Sequence, residues 1–400
     1  MDASDQGGLL RVRVGMEARV TPVELFFDLV YIFALAQLSN RLLEHLTVGS
    51  ALETLLLLLA VWWAWIRTTW FTSWFDPDRL PVLLMLIAVM LACLIMSAAI
   101  PTAFGEGGLM FALAFVTIQV GRTVFMLFAV RRSLGTSHPL SRNFQRILYW
   151  FLASGVLWII GGLLDGGARY ALWVLALSVD YGGPAVGFYT PGLGRSRTEV
   201  WMIEGGHFAE RCWLFVIIAL GESILVTGMT FGETEASALT VSAFVVAFLG
   251  SVALWWSYFD RTGWLAREAI TSSENPGMTV LSAYTYSHVP MIAGIIAVAA
   301  ADELIVARPG VQGTLASVAL TLGGTGLFVA GQALFKWTVS GVLSWSRVVA
   351  LAALIALVPA GFAMPALALS GAAGLIVAGV AVWETLGYRA RVRSPRRSAP

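Results

Sequence analysis

The chain has 400 residues, of which 58% are hydrophobic and 12% are charged, and its formal net charge is +1. Soluble globular domains carry about 25% charged residues, so this composition excludes an ordinary soluble protein and predicts a polytopic membrane protein. A net charge near zero also argues against a nucleic-acid partner. Both cysteines, Cys93 and Cys212, fall in apolar runs, so we expect no disulfide framework and no cysteine-based metal site. No cofactor-binding motif is evident.

A helix that crosses a bilayer needs about 20 mostly apolar residues. The sequence therefore predicts an all-α transmembrane bundle of about twelve spans with short connections. The predicted spans are 22–43, 51–72, 80–101, 108–130, 144–163, 169–189, 207–229, 236–259, 277–299, 312–335, 347–364 and 367–387. A polar segment at 1–20 precedes the spans and a basic tail at 389–400 follows them.

The distribution of lysine and arginine predicts the orientation. The amino terminus, the loops after the even-numbered spans and the tail hold 19 basic residues, whereas the loops on the other side hold 3. Because cytoplasmic loops carry the basic excess, we expect both termini in the cytoplasm. The lipid bilayer is the first predicted partner.

An internal repeat is indicated by two pairs of segments about 190 residues apart. Glu24 in span one aligns with Glu210 in span seven, and Trp62-Trp63-Ala-Trp65 in span two aligns with Trp255-Trp256-Ser-Tyr258 in span eight. Six spans separate the copies, an even number, so the two copies would share one orientation. The sequence predicts a pseudo-symmetric six-plus-six parallel repeat, with units at 21–190 and 207–388 joined by a cytoplasmic linker at 191–206.

Charged residues inside the spans are the candidate functional residues, because each costs about 2.5 kcal/mol or more at membrane depth. Thr21-Pro22-Val-Glu24 fits a capping box, so Glu24 has a structural alternative as part of the helix start. Asp28 lies one turn deeper on the same face. Capping does not explain Asp28, which favours a polar site.

Span seven carries His207, Glu210, Arg211 and Glu222. The 3.6-residue period places His207, Arg211 and Glu222 on one face, with Glu210 about 100° away. An unpaired carboxylate at the depth of Glu222 is expected to be paired or protonated, which indicates proton exchange or cation binding. The alternative is a buried salt bridge that fixes helix register.

Two further spans carry polar residues next to helix-breaking residues. In span six, Asp180 precedes Gly-Gly-Pro184, which predicts either an interrupted helix lining a cavity or a proline kink near the cytoplasmic end. In span nine, Tyr286 and His288 precede Pro290. These two side chains are either part of a site or packed hydrogen-bonding residues.

The remaining candidates are an arginine and two tryptophans. Arg122, inside span four, is predicted to pair with Asp28 or Asp180. Trp62 and Trp63 lie too deep for an interfacial belt. They either line an aromatic pocket that holds a cation or an apolar ligand, or pack between helices.

Two motifs resemble the bacterial low temperature requirement A (LtrA) family. They are Glu24-Leu-Phe-Phe-Asp28-Leu-Val, and His207-x-x-Glu210-Arg211 followed by Ala219-Leu-Gly-Glu222-Ser. Segments beginning at Arg79 and Tyr286 are also similar to the family, and the resemblance runs from about residue 20 to 385. It implies an integral, multi-pass protein of the bacterial cytoplasmic (inner) membrane and assigns no catalytic roles.

The leading hypothesis is a proton-linked secondary transporter or permease for a small solute. The alternatives are an intramembrane enzyme that uses acid catalysis on a lipophilic, isoprenoid-type substrate, and a non-catalytic membrane stress protein. Whether the chain is an enzyme, and its oligomeric state, stay open. The candidate acids are Asp28, Glu222, Glu210 and Asp180, and the surrounding network is Glu24, Arg122, His207, Arg211, His288, Tyr286, Trp62 and Trp63.

Overall fold

A computed structural model of the chain describes residues 8–11, 20–196, 205–259 and 276–393. These residues are helical apart from turns, short connections and three isolated β-bridges. The sequence prediction of an all-α fold is therefore confirmed for the described residues. The basic residues of the tail beyond 393 and the loop at 260–275 lie outside the described residues.

Each helix overlaps one predicted span, and the ends differ by up to 8 residues, at the end of the ninth helix. The helices are α1 Pro22–Glu44, α2 Val48–Trp74, α3 Leu80–Ala98, α4 Gly108–Leu134, α5 Pro139–Leu163, α6 Gly166–Ala185, α7 Gly205–Glu233, α8 Ala238–Phe259, α9 Pro276–Thr279 continued by Val280–Tyr286 and His288–Ala307, α10 Leu315–Val318 continued by Ala319–Gly323 and Gly324–Ser340, α11 Trp345–Gly361 and α12 Ala366–Arg393. By length and hydropathy, ten of the described helices are candidate membrane spans. The other two are α6 and the 17-residue α11.

The helix starts follow local capping chemistry. At α1 the backbone N–H of Thr21 donates to Glu24 Oε2 at 2.9 Å, so the predicted capping box is present. Pro22 occupies the first turn, where no backbone donor is needed. The side chain of Thr47 accepts a hydrogen bond from the N–H of Ser50 at the start of α2.

The α1 helix buries polar groups and exposes apolar ones. Asp28 is fully buried, whereas Phe26 is 60% exposed and Leu29 is 52% exposed. In water this arrangement would be unfavourable, because large apolar side chains would face solvent. In a bilayer the exposed side chains contact lipid, and the buried carboxylate needs partners inside the protein.

The described residues form two compact units, one from Met1–Ile218 with Ile270–Leu281 and one from Ala219–Ala269 with Ser282–Pro400. In the first unit α3 packs on α1 and α4, and α5 packs on α4 and α6. In the second unit α9 packs on α10, and α12 packs on α8 and α11. The boundary between the units falls within α7.

The structure corrects one prediction about helix continuity. The α6 helix is continuous through Asp180 and ends at Ala185, directly after Pro184, so the predicted interruption at Gly-Gly-Pro184 is wrong. Gly183 packs against Phe188, where a Cβ atom would lie 2.8 Å from the ring. Irregular helix occurs instead as π-helical segments, Val280–Tyr286 in α9 and Ala319–Gly323 in α10.

Candidate functional site

Four ionisable side chains from α1 and α7 meet in the first unit. Glu24 and Asp28 lie one turn apart on α1, and His207 and Arg211 lie one turn apart on α7. None of the four is more than 1% exposed. We call Glu24, Asp28, His207 and Arg211 the charge cluster.

Direct contacts join the charge cluster. His207 Nε2 lies 3.0 Å from Glu24 Oε1, and Arg211 Nη1 lies 3.5 Å from the same oxygen. Arg211 Nη2 donates to Asp28 Oδ1 at 2.5 Å. Arg211 therefore bridges both carboxylates, which offsets part of the cost of burying them.

A second layer of contacts holds the carboxylates in place. Trp65 Nε1, from α2, donates to Asp28 Oδ1 at 2.8 Å. Arg11 Nη2 lies 3.6 Å from Glu24 Oε2. The guanidinium carbon of Arg211 lies 5.6 Å from the ring centre of Phe27 and 5.9 Å from that of Trp65, within cation–π range.

The charge cluster keeps unused hydrogen-bonding capacity. Among the described residues, Asp28 Oδ2, His207 Nδ1 and Arg211 Nε have no hydrogen-bond partner. A buried polar atom without a partner costs about 1–3 kcal/mol, so such atoms are uncommon unless water, a proton or a ligand satisfies them. The arrangement is chemically suited to holding a proton and to binding a small polar group.

Residues 19–382 match the sequence profile of the bacterial low temperature requirement A protein (LtrA). The chain belongs to the LtrA family. A protein of Rhizobium meliloti (strain 1021), described as uncharacterized, is 40% identical to this LtrA-family chain over 377 residues, which are 93% of this chain and 90% of the relative. No solved structure matches. The family and the apolar helices together establish a multi-pass bacterial membrane protein.

Two other candidates in the first unit of this LtrA-family protein lie outside the charge cluster. Asp180 accepts a hydrogen bond from Trp158 Nε1 at 3.1 Å. Arg122 Nη1 donates to Thr68 Oγ1 at 2.6 Å, and Arg122 Nη2 donates to the Gln119 amide oxygen. The prediction that Arg122 pairs with Asp28 or Asp180 is therefore wrong, because hydroxyl, amide and carbonyl oxygens of α2 and α4 occupy its donors. A role for Asp180 stays a prediction.

The candidate tryptophans of α2 are packed against other aromatic rings. The ring centre of Trp62 lies 5.0 Å from that of Trp65 and 5.3 Å from that of Phe215, and Trp63 lies 4.4 Å from Tyr181. Both tryptophans are buried. This packing agrees with the core alternative, and a ligand pocket at these rings stays a prediction.

The remaining candidates are distributed along α7 and α9. Glu222 is 1% exposed, and neither of its carboxylate oxygens has a hydrogen-bond partner among the described residues. His288 contacts the Tyr258 hydroxyl at 2.8 Å and stacks on Tyr284. Glu210 and Tyr286 are half-buried. Site roles for these four residues stay predictions.

Sequence reasoning overlooked two features, the first partly exposed and the second buried. Arg41 pairs with Glu53 at the end of the helices opposite the charge cluster, and Glu53 also accepts a hydrogen bond from Tyr170. Asp302, in α9, is 2% exposed and lines a small cavity. The charged pair Asp302-Glu303 within an apolar run was the available signal. Among the described residues, no group of three or more His, Cys, Asp or Glu side chains is arranged to hold a metal ion.

Proposed function

We propose that this LtrA-family protein is a proton-linked secondary transporter of a small solute in the bacterial cytoplasmic membrane, with the charge cluster as its coupling site. One observation carries the proposal. Two carboxylates, an arginine and a histidine, all buried, form a single contact network on helices with the length and hydropathy of membrane spans. Intramembrane groups of this kind are typical of proton relays in transporters.

The net charge of the charge cluster is the reason why it would exchange a proton. Two carboxylates carry two negative charges and Arg211 compensates one of them. Arg11 is 12% exposed and lies 3.6 Å from Glu24, so it compensates the second charge only from the edge. A proton on His207, or on either carboxylate, would bring the four buried residues to neutrality. Burial favours that neutral state, because an uncompensated charge in a low dielectric is costly.

Binding and release of that proton would alter the link between α1 and α7. When Asp28 is ionised, it holds Arg211 in a charge-assisted hydrogen bond. When Asp28 is protonated, the ionic part of that attraction is lost and Arg211 becomes available to a substrate anion or to Glu24. The proton would thus shift the balance between two arrangements of the same helices, which is what coupling requires.

Contacts at the helix ends support an even number of crossings before α7. Glu24 meets His207 and Asp28 meets Arg211, so α1 and the start of α7 run in the same direction. Arg169, near the start of α6, donates to the carbonyls of Ala103 and Gly105 in the α3–α4 connection. At the opposite end of α6, Arg146 of α5 donates a hydrogen bond to the backbone carbonyl of Leu193, which lies beyond the end of α6. These contacts support α6 as a sixth crossing and agree with the twelve-span parallel repeat.

One observation favours the enzyme alternative. Trp65 donates to Asp28, stacks on Trp62 and contacts Phe215 at a tilted angle, so aromatic rings adjoin a buried acid as acid catalysis on an alkene would need. These rings pack against one another and so fill the space beside Asp28. We therefore favour transport.

Reconstituted proteoliposomes test the proposal. A pH-sensitive dye inside the vesicles reports proton movement while a panel of amino acids, sugars and organic acids is added outside. We expect at least one solute to change the internal pH, and Asp28→Asn and His207→Gln to reduce that rate at least tenfold. Glu44→Gln, at an exposed acid on the same helix, should leave the rate unchanged. The proposal would be overturned if no solute in the panel changed the internal pH, or if the Asp28→Asn variant were as active as the wild type.

A further inference from the structure

A small cavity lies within the second unit, between α8, α9, α10 and α12. Four oxygen-bearing side chains line it: Asp302 from α9, Thr321 and Thr325 from α10, and Ser370 from α12. The cavity has a volume of about 20 Å³. This is enough for one occupant the size of a water molecule, since the minimum for a water is roughly 10–15 Å³.

The oxygens that face the cavity are largely unused. Asp302 is 2% exposed, and its Oδ2 atom has no hydrogen-bond partner among the described residues, nor does Thr321 Oγ1. The Thr325 hydroxyl donates to the Thr321 carbonyl at 2.7 Å, which leaves its oxygen lone pairs free to bind a cation. The Ser370 side chain lines the same cavity as Asp302.

The backbone around the cavity is also unusual. Thr321 lies within the π-helical segment Ala319–Gly323, where the regular α-helical hydrogen-bonding pattern changes. Such segments occur frequently at functional sites. On the opposite wall Gly250 and Gly374 bring α8 and α12 close together, and a Cβ atom on Gly374 would lie 3.6 Å from the Gly250 Cα atom. The cavity is therefore small because the helices are closely packed around it.

The cavity holds one buried carboxyl group, that of Asp302. No ion pair joins Asp302 to a Lys or Arg side chain within the described ranges, and its neighbour Glu303 is acidic as well. A carboxylate buried this deeply needs a cation or a proton to offset its desolvation. Hydroxyl and carbonyl oxygens around one carboxylate are a typical coordination set for a small, hard cation.

We propose that the cavity at Asp302 is a binding site for one small monovalent cation of the Na⁺ class. A single carboxylate surrounded by neutral hydroxyl oxygens matches one positive charge, whereas Ca²⁺ and Mg²⁺ sites in proteins use more carboxylates or retain several waters. The carboxylate attracts the smaller Na⁺ more strongly than K⁺, because the attraction between two charges rises as their separation falls. This site belongs to the second unit and does not depend on the charge cluster, so it would supply sodium dependence in addition to any proton coupling.

Thermal unfolding of the purified full-length protein in detergent tests the site. Melting temperatures are measured in NaCl, KCl and choline chloride at one constant total ionic strength, so that general salt effects cancel. A ligand that binds only the folded state raises its stability with concentration. We expect the melting temperature to rise by a few degrees for each tenfold increase in Na⁺ above the dissociation constant, with a smaller rise in K⁺ and none in choline.

Matched variants locate the effect. Asp302→Asn and, separately, Thr321→Val should abolish the Na⁺-dependent rise, whereas Glu303→Gln, at the neighbouring acid that does not line the cavity, should retain it. Thr321→Val keeps the test informative if Asp302→Asn fails to fold. The proposal is overturned if the wild-type protein melts at the same temperature in Na⁺ and choline, or if both cavity variants keep the full Na⁺ response. Neither outcome bears on proton flux through the charge cluster.

Discussion

At the scale of single residues, Arg211 is the side chain on which the charge cluster depends. It contacts both Glu24 and Asp28 while fully buried, so removing it would leave two carboxylates without their common partner. Breaking a buried ion pair from one side costs about 3–5 kcal/mol. We expect Arg211→Met to lower the free energy of unfolding by about that amount, measured by denaturant titration in mixed micelles.

A double-mutant cycle separates the pair from the packing of the arginine stem. Adding Asp28→Leu to Arg211→Met should recover part of the lost stability, with a coupling energy of about 1–3 kcal/mol. Arg79→Met is the matched control, because Arg79 pairs with Asp76 at the surface and such pairs contribute about 0–1 kcal/mol. An Arg211→Met variant as stable as the wild type would show that the contacts contribute nothing.

The sequence predicts the individual residues of the charge cluster but not which of them contact each other. Glu24 was predicted either to cap the helix start or to belong to the polar network, and Asp28 to form part of a polar site, and these predictions rest on local spacing. The partners His207 and Arg211 lie 183 residues away from Glu24 and Asp28. Local pattern carries no information on which distant helix a buried acid faces. For this reason the sequence predicted Arg122 as a partner, whereas in the structure Arg122 contacts Thr68 and Gln119.

At the scale of helices, α9 and α10 approach each other closely through glycine. A Cβ atom on Gly294 would lie 2.5 Å from the Gly324 carbonyl oxygen and 2.6 Å from the Phe328 backbone nitrogen. Backbone atoms cannot move aside as a flexible side chain can. We expect Gly294→Ala to destabilise the protein by about 1–3 kcal/mol, as overpacking does, with a lower melting temperature in detergent.

Gly326 provides the control on α10. A Cβ atom there meets nothing within 4 Å, so Gly326→Ala should be neutral or should stabilise by about 0.5–1 kcal/mol through the lower entropy of the unfolded chain. If both alanine variants melted at the wild-type temperature, the close approach of α9 and α10 would be contradicted.

Helix positions were predictable because hydropathy and capping are local properties. The spans predicted at 22–43 and 108–130 correspond to the helices Pro22–Glu44 and Gly108–Leu134. The predicted break in α6 was wrong because a proline in the last turn of a helix ends it without interrupting it. The π-helical segments were not predicted, since one additional residue per turn changes the backbone without changing the composition.

At the scale of the whole chain, the direction of α7 relative to α1 constrains the topology. Both pairs in the charge cluster advance by four residues on each helix, so the two helices run in the same direction, and we propose that they start at the same side of the membrane. Starting two helices at one side requires an even number of crossings between the starts. In the proposed twelve-span topology, α1 to α5 are the first five crossings and α6 is the sixth, despite its lower hydropathy.

Cysteine labelling decides whether α6 crosses the membrane. Gly167, at the start of α6, and Arg195, beyond its end, are both exposed. In a background with Cys93→Ala and Cys212→Ala, a membrane-impermeant maleimide added to intact cells should label Gly167→Cys and not Arg195→Cys, because the predicted orientation places Arg195 in the cytoplasm. Lysed cells should label both. Equal labelling of the two positions in intact cells would place them on one side, which would remove the sixth crossing and the parallel repeat with it.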